Sequence, residues 1–72
     1  MENSEMEKLK ILLDHWIEHN KEHGEEFREW AEKARDLGKA VVHEDMLDAA
    51  QNMDKASESL RKALQELNKA KS

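Results

Sequence analysis

Ala34-Arg35-Asp36-Leu37-Gly38-Lys39-Ala40-Val41-Val42 is the stretch on which the fold turns. A regular apolar series runs up to Leu37. Gly38 follows at once, where a helix that stops needs a residue free to take positive φ. A second apolar series starts at Val42, so only a few residues separate the two. Short connections between helices favour antiparallel neighbours. The stretch therefore predicts a helical hairpin.

Upstream of the turn, Met6, Leu9, Leu13, Trp16, Asn20, His23, Phe27, Trp30, Ala34 and Leu37 step alternately by three and four. That is a heptad seam. Ser4, with Glu7 three residues on, has the capping-box pattern. The seam predicts one continuous helix over roughly residues 4–37, about 50 Å long. A mid-helix glycine costs only about 1 kcal/mol against alanine, so Gly24 need not break it. The alternative is a break at Gly24 and a three-helix bundle. Downstream, Val42, Met46, Ala49, Met53, Ala56, Leu60, Ala63, Leu67 and Ala70 keep the same steps, which predicts a second helix over about 41–69. In the hairpin Leu37 falls near Val42, Trp30 near Ala49 and Phe27 near Met53, large residues against small or flexible ones. Trp16, Trp30, Met46 and Met53 read as core packing. Asn52, Ser57, Glu58 and Ser59 read as surface.

The fold class expected is all-α, with residues 1–72 forming a single helical domain. At 72 residues the chain is marginal as an isolated core. Leu12, Ile17, Leu47 and Leu64 widen the apolar surface beyond what one hairpin covers. The economical solution is a homodimer, an antiparallel four-helix bundle.

Composition narrows the function classes. There is no cysteine or proline and only one Phe and two Trp. Thiolate metal sites and disulfides are excluded, so a metal would be held by imidazole and carboxylate. Net charge is −5, and residues 1–37 carry all of it, with 11 acids against 6 bases. An acidic first half argues against a nucleic-acid backbone or an anionic membrane as partner, and it attracts cations. No apolar run approaches the roughly 20 residues of a membrane span. The first residues lack the basic and apolar regions of a secretory signal, so a cytoplasmic location is expected.

The chemistry is concentrated in His15-Trp16-Ile17-Glu18-His19-Asn20-Lys21-Glu22-His23. Three histidines step by four and form a ladder on the helix surface. Imidazoles at i and i+4 can chelate one ion, and nickel, cobalt, copper and zinc all suit them. Each histidine has a glutamate three residues later (Glu18, Glu22, Glu26), placed to orient a ring or to supply an oxygen ligand. At 100° per residue His23 points into the seam, His19 lies at its flank and His15 points largely to solvent. Asn20 and His23 then form a polar layer in the seam, which needs a compensating partner.

Two readings follow. In one, His19 and His23, with His15 or Glu22 completing the site, bind nickel, cobalt or zinc. In the other, the layer only sets register and oligomer state in a dimerisation or adaptor module, with an unidentified protein as a further candidate partner. H-x-x-E-H occurs at His15–His19 and again at His19–His23, the spacing of inverted zincins. A bundle this small has no room for a sizeable substrate cleft, so no enzyme activity is expected. His43, alone at the turn end and roughly 30 Å from His23 by helical rise, reads as having a local role.

With Phe27 and Trp30 following the ladder, the chain resembles a family of small uncharacterised helical domains from archaea and bacteria. They share H-W-x-x-H-N-x-x-H and then an E-x-F-x-x-W segment. The matching positions are His15, Trp16, His19, Asn20 and His23. Gly24 departs from the expected helix former. The resemblance implies a compact helical module linked to transition-metal handling.

Overall fold

The computed structural model describes the backbone of residues 2–70 and the side chains of 4–69. The expected place of Ala70 in the second seam lies outside the described side chains. Two helices make up the fold, α1 (Glu2–Asp36) and α2 (Ala40–Ala70). They pack side by side as a hairpin 55 Å long and 15 by 11 Å across. The all-α hairpin read from the heptads is the observed architecture.

Helix α1 passes through Gly24 without a break, so the three-helix alternative is not what forms. It starts at Glu2, which puts Ser4 inside the first turn rather than at the cap. Its end follows the expectation closely. Lys39 N–H donates to the Ala34 carbonyl at 2.9 Å and Gly38 N–H to the Arg35 carbonyl at 2.9 Å. Gly38 has φ +79°. This is the Schellman arrangement, which satisfies the last carbonyls of α1. Helix α2 then begins almost at once, and His43 N–H donates to the Lys39 carbonyl at 2.9 Å.

The buried seam differs from the predicted one on both helices. Its central rows are as expected: Leu13, Asn20, Phe27 and Ala34 on α1, and Met46, Met53, Leu60 and Leu67 on α2, all buried or half-buried. The flanking rows that complete it are Ile17, Gly24 and Ala31 on α1 and His43, Ala50, Ser57 and Leu64 on α2. The row that the sequence paired with the central one lies on the other flank. Trp16 is 41% exposed, Trp30 55% and Leu37 74%, and Met6, Leu9 and Val42 are exposed with them. Trp16 and Trp30 are therefore not core anchors of the hairpin. The reason is geometric. A two-helix contact buries the rows nearest the partner axis, here the central row with the one four residues on (Leu13 with Ile17, Phe27 with Ala31) rather than the one three residues on that holds the tryptophans.

The core is correspondingly thin. Leu13, Ile17, Ala31, Ala34 and Ala50 are its buried apolar members. The small residues near the turn let the helix axes approach. A Cβ built on Gly24 would sit 3.9 Å from Met53 Cβ, which fixes the register. Arg28 donates to Asp54 Oδ2 at 2.6 Å across the pair. One turn from the Gly24–Met53 contact, the same register sets Asn20 level with Ser57. Ser57, expected at the surface, is 4% exposed, and its hydroxyl oxygen has no hydrogen-bond partner. The polar layer of the seam is thus Asn20 with Ser57, and Gly24 takes the seam position assigned to His23.

Candidate metal site

His15, His19 and His23 lie on consecutive turns of α1. The spacing of four holds their side chains in a rising row. His15 and His19 stack, with ring centroids 5.7 Å apart and planes 21° from parallel. His19 and His23 meet edge to face at 4.4 Å. Their Nε2 atoms are 2.9 Å apart, the distance of a hydrogen bond in which one ring donates and the other accepts. His23 also lies against Phe27, at 6.0 Å between centroids. Its Nδ1 is 3.4 Å from Glu26 Oε1.

The structure thus joins two of the four sequence-predicted ligands and leaves two apart. His15 is exposed and stacked on the far side of His19. Glu22 is exposed, and Glu26 is the carboxylate that reaches His23. Among the described residues, no three His, Asp or Glu side chains converge on one point.

The pair has a definite chemical capacity. Two nitrogens each about 2.05 Å from an ion are about 2.9 Å apart when they subtend 90°, and about 3.3 Å apart at the tetrahedral angle. The observed 2.9 Å matches two adjacent positions of a square-planar or octahedral ion. Nε2 of His23 faces His19, while Glu26 lies on the Nδ1 side of the same ring, which leaves Nε2 open to a metal. His19 is exposed and His23 half-exposed, so both rings have room to turn. The acidic side chains of Glu18, Glu22, Glu25 and Glu26 surround them on the same helix, all exposed.

His43 belongs to none of this. Its Nδ1 lies 2.8 Å from the carbonyl oxygen of Ala31, so it ties α2 to α1. Ala31 is eight residues from His23, about 12 Å of helical rise. The roughly 30 Å read from the sequence followed the chain round the turn and overstated the separation. A sequence does not show this role, because the acceptor is a backbone atom of the other helix. Glu26 was legible, as the carboxylate three residues after His23. Ser57 carried no signal that sets it apart from Ser59.

The fold and the histidine row define a small two-helix module with a surface imidazole pair. Residues 9–67 match a domain of unknown function (DUF8180), and the chain belongs to that family. An uncharacterised protein of Archaeoglobus fulgidus is 41% identical over 59 residues, which cover 82% of this chain and 94% of the relative. No solved structure matches. Among the described residues, no helix is long and apolar enough to cross a membrane.

Proposed function

We propose that this protein binds a divalent transition metal through His19 and His23 and acts by binding, with no catalysis. The observation that carries the proposal is the 2.9 Å approach of the two Nε2 atoms. Nickel, cobalt and zinc all suit such a pair, since the exposed rings have room to open to the separation each ion prefers. Glu26 orients His23. The third ligand is His15 or Glu22, one turn or less from the pair, brought in by a change of rotamer. The acidity of α1 raises the local concentration of cations. The proposed location is the cytoplasm.

The test is a calorimetric titration of chelator-stripped protein with nickel and then zinc at pH 7.5, with the His19→Ala/His23→Ala variant alongside. Binding at micromolar concentration or tighter, lost in the variant, is expected. Equal, weak heats from both proteins would overturn the proposal.

The alternative reading, a module that dimerises or receives another helix, is favoured by a separate observation, the exposed row of Trp16 and Trp30. It bears on which partner covers that row.

A further inference from the structure

The two helices run antiparallel and use equivalent rows for their contact, so the rows left over emerge on the same side of the hairpin. On α1 this row is Leu9, Trp16, His23, Trp30 and Leu37. On α2 it is Val42, Ala49, Ala56 and Ala63. One face therefore carries a ridge of large side chains beside a groove of alanines. By the register that sets Gly24 against Met53, Trp30 is level with Leu47 and Trp16 with Arg61, so Ala49 and Ala63 each lie within two residues, about 3 Å of rise, of a tryptophan.

We infer that a second copy of this chain covers this face, related by a two-fold axis parallel to the helices. Such an axis lays α1 of each copy over α2 of the other. The Trp30 of one chain then rests on the Ala49 of its partner, and Trp16 rests on Ala63. The interface is self-complementary, as a two-fold pair requires. A two-fold axis perpendicular to the helices would instead set ridge on ridge, with Trp16 against the Trp30 of the other copy. In the parallel-axis dimer the bisector of the central and tryptophan rows points to the bundle centre. That explains why the heptads read from the sequence follow those two rows, while the hairpin alone buries the other flank.

The areas agree. The chain exposes 5714 Å². A folded monomer of 8.4 kDa exposes about 4,600 Å². The surplus, about 1,100 Å², reflects the elongated shape of the hairpin, 55 × 15 × 11 Å, and leaves ample surface for the roughly 800 Å² that each partner contributes to a standard stable interface. His23, a proposed metal ligand, lies in this row, so the pairing is measured with chelator present to read the contact made by the tryptophans and alanines alone.

The absence of cysteine allows a single label at Lys39, an exposed residue of the turn. Lys39→Cys carrying a nitroxide is measured by sedimentation and by electron–electron dipolar spectroscopy in the presence of chelator. The expected result is a mass of two chains and an inter-label distance under about 30 Å, since both turns lie at one end of a bundle with axes 8–10 Å apart. Ala63→Glu, on the exposed row, should yield a helical monomer. A single-chain mass for the labelled protein, or a distance near the 55 Å length of the hairpin, would overturn the inference.

Discussion

His43 crosses the hairpin to place Nδ1 2.8 Å from the carbonyl oxygen of Ala31, a residue with no exposed surface. The ring N–H donates to a second lone pair of a carbonyl that also serves the helix. A net hydrogen bond contributes about 1 kcal/mol. His43→Ala should therefore lower the unfolding free energy by about 1 kcal/mol or slightly more, seen as a lower urea midpoint at unchanged slope. An unchanged midpoint would mean that the bond does not persist in solution.

The two glycines should respond in opposite directions to alanine. Gly38 sits at φ +79°, where a Cβ costs about 1–2 kcal/mol. Gly24 lies in a helix, and a Cβ there would meet only ordinary contacts: Arg28 Nη1 at 3.5 Å, Asp54 Oδ1 at 3.8 Å and Met53 Cβ at 3.9 Å. Gly38→Ala should destabilise by about 1–2 kcal/mol. Gly24→Ala should stabilise by about 0.5–1 kcal/mol. Thermal denaturation of both variants against the parent checks the signs. A destabilising Gly24→Ala would show that Arg28 or Met53 cannot give way.

Ser57 buries a hydroxyl without a partner. Removing it recovers a desolvation cost of about 1–3 kcal/mol, offset in part by the small cavity left. Ser57→Ala should be neutral to stabilising by about 1 kcal/mol. A loss of more than that in chemical denaturation would mean that the hydroxyl does have a partner in solution, with Asn20 the first candidate by register.

Proton competition gives the metal proposal a signature. An imidazole must be neutral to bind, and the ordinary imidazole titrates near 6.5. Because protons compete with the metal for the ring nitrogens, affinity for nickel should fall as pH drops from 7.5 to 5.5, more steeply with two imidazole ligands than with one. Titrations at the two pH values read the difference directly. A flat profile would exclude imidazole as ligand.

The parts of the fold legible in the sequence are those set by local chemistry. Gly38 after Leu37 marked the turn because only the left-handed conformation closes a Schellman motif there. The three-four spacing marked both helices, and it ran unbroken through Gly24. What the spacing could not decide was which flank of the stripe faces the other helix. Rows on either side of Leu13, Asn20, Phe27 and Ala34 satisfy the same periodicity, and Ile17 with Ala31 proved to be the buried flank while Trp16 and Trp30 stayed outside. The approach of His19 to His23 was legible from the i,i+4 step. The separation of His15 from that pair was not, because it depends on which ring rotamers the neighbouring side chains select.

The most direct measurement is a long-range proton–nitrogen correlation spectrum of the imidazole rings during titration with diamagnetic zinc. Zinc binding should move the Nε2 resonances of His19 and His23 together, at one stoichiometry, and keep a protonated Nδ1 on His23 beside Glu26. The His43 ring, held to Ala31, should not shift and serves as the internal control. If His19 and His23 stay where they are while zinc is in excess, or if they move no more than His43, the imidazole pair is not a metal site.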